Sequence, residues 1–389
     1  MKTGRISESI LKRSVLRQIK THRDEVLKGA GVGEDCAFFS WDLSETGPFG
    51  ERNSVHAAWD TAPVSGRVLA ASTQTVTLPV SKAPELAVHA AANNLAAGGA
   101  EPFAVTAAIT LPADAEEATL KDIMNRLEGR CRGLHIELAG GHTEVTPAVN
   151  TPVIGITALG KKGSASLGRD VEITERLQVE ALEETEEAEE QQNACAKAKS
   201  SGKRDLLEAE KKDFDIVVSK WIGLEGTVIL ANDKEEELLG RYPQNLIMAA
   251  QNLEQYLSVL PEAALALKSG VYMMHDMRNG GIFGALWEIS QRIGVGLTID
   301  LKKIPIKQET IEICEYYELN PYELLSGGGL IMLTEDGKAL VKKLEENGIS
   351  AAVIGSTNSS NDKIVMNEEE TRYLEPPVPD EIYKVFYQA

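Results

Sequence analysis

Four glycine-rich turns carry the polar side chains best placed for chemistry. In Gly31-Val32-Gly33-Glu34-Asp35-Cys36-Ala37 two adjacent acids leave a glycine turn and enter an apolar run. Acids at a strand edge present hard oxygen ligands of the kind Mg²⁺ takes, although Gly-Glu-Asp is also an ordinary surface turn. In Ala139-Gly140-Gly141-His142-Thr143-Glu144 the paired glycines let a backbone approach a ligand closely, and three hydrogen-bonding side chains follow at once. His275-Asp276-Met277-Arg278-Asn279-Gly280-Gly281 leads into a helix, whose first-turn N–H groups suit an anion or are simply capped by an Asp or Asn. Ser326-Gly327-Gly328-Gly329 precedes a strand and reads as a phosphate cradle or a tight turn.

Commoner chemistries are missing. There is no GxxxxGK[ST] loop, no GxGxxG opening a helix after a strand, no GxSxG elbow and no HExxH helix. The six histidines show no ligand spacing, and the four cysteines (Cys36, Cys131, Cys195, Cys314) form no CxxC pair. Reduced thiols and a cytoplasmic protein are expected. The N-terminus offers no apolar h-region of a secretory signal. The Ala-rich stretch Leu86 to Leu111 contains His89, Asn93, Asn94, Glu101 and Pro102, so it reads as core rather than a membrane span.

The elements that must hold these turns alternate between strand and helix patterns. An amphipathic helix is expected over Ser7–Leu27, with strands at Cys36–Trp41, Val55–Trp59 and Val68–Val76. Pro84 opens a helix over Glu85–Ala97 that stops at Gly98-Gly99. Strand Phe103–Leu111, helix Ala115–Leu134 and strands Ile136–Ala139 and Val153–Leu159 complete a first block, with the Gly140–Glu144 turn between the last two. The second block reads as strand Ile216–Trp221, a Gly223–Gly226 turn, a helix including Leu253–Leu260 and strand Tyr272–Asp276. Helix Ile282–Ile293, strand Leu297–Leu301, helix Ile311–Tyr317 and a βαβ-like close over Leu330–Ile354 follow. The expected class is α/β (α+β), with domains 1–163 and 213–389 joined by an excursion over 164–212.

That excursion holds 13 acids and 8 bases, with seven glutamates in the eleven residues 180–190, and reads as a solvated helical insert or linker. It supplies −5 of a net charge of −19, in a chain of 389 residues with a pI near 4.9. The sign disfavours nucleic acid and anionic membrane surfaces as partners.

Taken together and in order, the motifs resemble the AIR synthase (PurM-like) superfamily, and among its members HypE-like hydrogenase maturation proteins. Gly33-Glu34-Asp35-Cys36-Ala37 is similar to the family's G-x-D-D-A-A turn, and Leu86 through Pro102 to its K-L-A-x8-N-D-L-A-x-M-G-A-x-P helix. Ala139–Val145 resembles G-G-D-T-K-V, and His275–Ile282 resembles R-D-P-T-R-G-G-L. The resemblance implies an N-terminal α/β domain that dimerises through its sheet, a C-terminal α/β domain, and ATP with Mg²⁺ in the cleft between them and across the dimer. The implied activity is phosphorylation of an amide-like or small-metabolite oxygen, and the alternative is a non-catalytic nucleotide-binding sensor, scaffold or maturation partner. A small-molecule substrate, a homodimer and a maturation-protein partner are the implied associations.

Residue by residue, the resemblance implies that Gly33, Glu34, Asp35, Gln74, Asn94, Gly140, Gly141, Thr143, Glu144, Gly280 and Gly281 bind the cofactor. Glu34, Asp35, Gln74, Asn94 and Glu144 are the implied metal ligands, and Asp276 and His142 the catalytic pair. Four positions depart from the pattern: Gln74, Asn94 and His142 stand where the family has Asp, and Asn279 where it has Arg. HypE itself ends in a carbamoyl-accepting Cys, whereas the last cysteine here is Cys314, so cyanide-ligand synthesis by that route is not expected.

Overall fold

The computed structural model describes residues 8–20, 26–41, 67–162, 213–368 and 370–387. The expected strand at Val55–Trp59 and the 164–212 excursion lie outside them.

The first domain is a six-stranded sheet built from β1 (Val26–Lys28), β2 (Ala37–Trp41), β3 (Arg67–Val76), β4 (Glu101–Leu111), β5 (Glu137–Val145) and β6 (Val153–Lys162). Its order is β1-β2-β3-β6-β4-β5. Apolar residues alternate along β6, so Ile154, Ile156 and Ala158 face the core while their neighbours face away. All pairs are antiparallel except β4 with β5, which run parallel because a helix, α2 (Glu117–Gly133), crosses between them.

Helix α1 (Ala83–Ala97) has Pro84 in its first turn and is buried on every side except at Glu85. An all-round buried helix needs partners on both faces. Here one face packs on β3 and β6, and the other meets the second domain. The small alanines permit that close sandwich, which makes α1 the seam of the molecule.

The second domain adds α3 (Leu224–Asp233), α4 (Glu235–Leu239), α5 (Gln244–Gln251), α6 (Leu260–Leu267), α7 (Gly281–Ile293), α8 (Gln308–Tyr316) and α9 (Gly337–Glu346). Its strands are β7 (Asp215–Ser219), β8 (Met273–Met277), β9 (Gly296–Asp300), β10 (Gly329–Thr334), β11 (Ala351–Asn358), β12 (Lys363–Asn367) and β13 (Glu370–Tyr373). They form one sheet in the order β13-β12-β9-β11-β7-β10-β8. The βαβ-like close is a split one: β10 and β11 both run antiparallel to β7, which lies between them. Strand β8 is an edge, and α1 covers it, so all five of its residues are buried. One apolar cluster therefore runs from Leu86, Leu95 and Ile156 of the first domain to Leu224, Val228 and Leu257 of the second.

Several expectations are corrected. Among the described residues the N-terminal helix covers Glu8–Gln18, passing from α to π to 3₁₀ geometry, and Val26–Lys28 is a strand. The Gly140–Glu144 segment is no turn: it lies inside β5, where Gly141 passes so close to Ala107 that a Cβ would fall 1.9 Å from its carbonyl oxygen. Leu253–Leu260 is a 3₁₀ turn over Asn252–Tyr256, and α6 begins at Leu260. Gly223 takes a left-handed φ of 69° and starts α3, so Glu225 belongs to a helix rather than a turn. Among the described residues no helix is long and apolar enough to cross a membrane.

Candidate functional site

Asp35, Gln74 and Asn94 from the first domain and Asp276 from the second line one cleft of about 570 Å³ at the domain junction. Its wall includes the Gly29–Gly31 loop, Ser72 to Thr75 at the end of β3, His275 and Arg278 at the end of β8, and Glu288 of α7. The helical segment at the N-terminus closes another side with Leu11, Val15 and Leu16, anchored where Trp287 Nε1 donates to Glu8 (3.0 Å).

The acidic turn reaches the cleft because Gly33 adopts φ +71° and packs on α7, where any Cβ would stand 2.7 Å from the Glu288 carbonyl oxygen. A relay then fixes it: Asn94 Nδ2 donates to Ser72 Oγ (3.1 Å), and Ser72 Oγ donates to the Asp35 carbonyl (3.0 Å). Asn94 thus holds the turn from the buried seam helix. On the same helix Asn93 fixes the other domain, since its Nδ2 donates to the Leu257 carbonyl (2.8 Å) and its Oδ1 accepts from Val259 N (3.0 Å).

The charged groups interlock across the domains. His275 is 3% exposed, with Nδ1 2.9 Å from Asp35 Oδ2 and Nε2 3.1 Å from Glu288 Oε2. Burial alone would lower its pKa, but the Asp35 and Glu288 carboxylates outweigh that and raise it to about 10. Arg278 grips Glu225 through two hydrogen bonds, Nε to Oε2 at 3.2 Å and Nη2 to Oε1 at 3.1 Å, and its Nη1 reaches Gln74 Oε1 at 3.4 Å. Glu34 is held by Lys28 (2.8 Å) and Arg292 (3.2 Å).

Asp276 stands apart, because both carboxyl oxygens are buried without a hydrogen-bond partner among the described residues. Burial, with the Asp35 charge added, pushes its carboxyl well above the usual range. A cation between the two carboxyls would relieve that repulsion, and the amide oxygens of Gln74 and Asn94 are of the hard type Mg²⁺ accepts. Asp35 and Asp276 are therefore the carboxylates that fit a divalent ion. Glu34 is committed to its two basic partners, and among the described residues no group of three His, Cys, Asp or Glu is arranged to hold a metal ion by itself.

Strand β5 is the far edge of the first sheet, and Gly140, Gly141, His142, Thr143 and Glu144 are exposed on it rather than gathered in the cleft. His142 Nε2 lies 3.6 Å from Glu144 Oε2, and Val145 beside them is 61% exposed. Gly280 and Gly281 start α7 with φ of +80° and +61°, but the Gly280 N–H already donates to Asp380 Oδ2 (2.7 Å). Asp380 also accepts from Leu325 N and Ile382 N, and burial raises its carboxyl to about 7 against those bonds. An anion at this helix start would have to displace Asp380.

The sequence reading missed Ser72, Glu225, His275, Arg278, Glu288 and Asp380 as site or supporting residues. For Glu288 a signal existed: it falls on the face of α7 that carries Gly281, Ala285 and Ile289, where a carboxylate needs a partner. Arg278 lay inside a quoted motif, three residues after His275. Nothing local marks Asp380.

Comparison with known proteins agrees with this architecture. A putative hydrogenase expression/formation protein of Methanocaldococcus jannaschii is 21% identical over 387 residues, 98% of this chain and 97% of that one. Carbamoyl dehydratase HypE of Rhodobacter capsulatus is 21% identical, covering 72% of this chain and 71% of its own. Of solved structures, hydrogenase maturation protein HypE in complex with ATP superposes with a TM-score of 0.59 at 18% identity, covering 98% of this chain and 97% of that one. A chain of a HypE–HypF complex gives 0.55 at 19% identity, covering 79% of this chain and 90% of that one. The family model described as AIR synthase related protein, N-terminal domain, matches residues 33–161, and its C-terminal domain counterpart matches residues 215–367. The chain belongs to the AIR synthase related protein family and has its two-domain, PurM-like fold.

Proposed function

We propose that the interdomain cleft binds ATP and that this cytoplasmic protein uses it to phosphorylate an amide-like oxygen of a small molecule. The observation that carries the reading is the convergence of Asp35, Asp276 and Arg278 from two domains on one cleft, in a chain that superposes along nearly its full length on a HypE structure containing ATP. In such a reaction the acceptor oxygen attacks the γ-phosphorus and the bond to the bridging oxygen breaks with release of ADP. The carbon–oxygen bond to the phosphorylated oxygen then breaks with departure of phosphate, as a further carbon–nitrogen bond forms and the nitrogen's protons pass to water. Magnesium, when bound, would supply charge neutralisation on the phosphates, with Asp35 and Asp276 as its carboxylate ligands. Arg278, fixed in orientation by Glu225, is placed to stabilise the charge of the transferring group. His275 sets the position of Asp35, and Asn94 and Ser72 that of its backbone.

The exposed β5 edge supports a homodimer, in which the Gly140–Glu144 segment, with His142 and Glu144, would reach a site on the second chain. The HypE–HypF likeness supports a maturation protein as partner. A second reading, nucleotide binding without turnover, is favoured by Gln74 and Asn94, neutral amides where the resemblance has Asp, and by the commitment of Glu34 to Lys28 and Arg292. The test is to incubate the purified protein with ATP, Mg²⁺ and a cell-extract metabolite pool. Release of ADP and phosphate that depends on the pool supports phosphoryl transfer; tight ATP binding with no ADP in any pool establishes the second reading.

A further inference from the structure

Behind the cleft lies a second, much smaller void lined by Leu86, His89, Asn93, Glu225, Asp276 and Gly327. It offers about 10 Å³ to the centre of a water-sized body, room for about one molecule. Asp276 and Arg278 line both the void and the cleft and so stand between them.

His89 is 5% exposed, and neither ring nitrogen has a hydrogen-bond partner among the described residues. Burial, with the Arg130 and Lys220 charges added, lowers its pKa to about 3, so the ring is neutral, with one N–H donor and one acceptor. Asp276, across the void, likewise has both oxygens unpartnered. The other polar side chains around the void are already engaged: Asn93 bonds Leu257 and Val259, and Glu225 holds Arg278. Orphaned polar groups this deeply buried are costly, and a shared occupant that both donates and accepts satisfies them together. A cation is a poorer occupant, because Arg130 and Lys220 already place positive charge near the ring. An anion would face the Asp276 carboxyl.

We propose that one ordered water fills this void and bridges a ring nitrogen of His89 to the Asp276 carboxyl, and that His89 is through it the positioning residue of Asp276. The water stands on the cavity geometry alone; the positioning role rests on the phosphoryl-transfer reading.

The test uses the full chain as wild type, His89→Gln and His89→Leu. Crystal structures at about 1.5 Å should show one water within hydrogen-bond reach of both groups, kept in the Gln variant and lost in the Leu variant. A dry void, or a direct His89–Asp276 contact, overturns the water. In the metabolite-pool assay His89→Leu should lose roughly tenfold in ATP turnover, as loss of an orienting partner commonly does, with ATP affinity within twofold and partial rescue by Gln. Equal losses of affinity and turnover with a lowered melting temperature, unrescued by Gln, assign His89 a packing role and overturn the positioning claim. A wild type that shows the water but no turnover in any pool retires the phosphoryl-transfer reading and the positioning claim with it, and leaves the water site established.

Discussion

Replacing His275 with Gln removes a cation held between two buried carboxylates. Asp35 and Glu288 are 8% and 11% exposed, so neither can recover its charge stabilisation from solvent. Breaking a buried ion pair from one side typically costs about 3–5 kcal/mol. At about 2–4 °C per kcal/mol for a domain of 150–250 residues, the melting temperature should fall by about 6–20 °C near pH 6. The pH dependence distinguishes charge from shape. The folded pKa of about 10 exceeds the ordinary 6.5, so the folded state holds this proton more tightly than the unfolded chain. The stabilisation is fully present below pH 6.5, declines between 6.5 and 10 and is gone above 10. Wild type and His275→Gln should therefore converge as the pH rises towards 10.5 in thermal unfolding followed by circular dichroism. An equal gap at pH 6 and pH 10.5 would refute the reasoning, since it would mean the imidazole acts by packing alone.

Asn93→Ala should lose the two hydrogen bonds that tie α1 to the Leu257–Val259 segment and leave their buried backbone groups unpaired, costing about 2–4 kcal/mol, measurable by denaturant titration. Gly281→Ala should fail to fold or lose several degrees of melting temperature, because φ is +61° and the new Cβ would meet the Tyr322 carbonyl oxygen at 2.4 Å. If the proposed homodimer forms through the exposed β5 edge, Val145→Arg should convert it to a monomer in sedimentation while leaving the melting curve within a few degrees.

The architecture was legible where periodicity was long and clean. Glu85–Ala97 announced itself by Pro84 and the closing glycines, and Val153–Leu159 by strict alternation, and both stand within a few residues of the expected bounds. The Gly140-Gly141 pair misled, because glycines that signal a turn can instead let one strand lie close against another, as Gly141 does against Ala107. At the site, Glu34, Asp35, Gln74, Asn94 and Asp276 line one cleft, and each sits near the end of a recognisable element. The polar pairing was not legible: the Asp35–His275 ion pair and the Arg278–Gln74 hydrogen bond join residues more than 200 positions apart, and the packing of α1 between the domains brings them together. Gly223–Gly226 was read as a turn, whereas Leu224–Asp233 is a helix, and that reading hid Glu225, the residue that orients Arg278.

The central claim is that this cleft binds ATP, and calorimetric titration of ATP with Mg²⁺ into the purified chain tests it most directly. A one-site isotherm in wild type, weakened about tenfold or more in Asp276→Asn, is the predicted result. No heat of binding at millimolar ATP, or an affinity indifferent to Asp276, would contradict it.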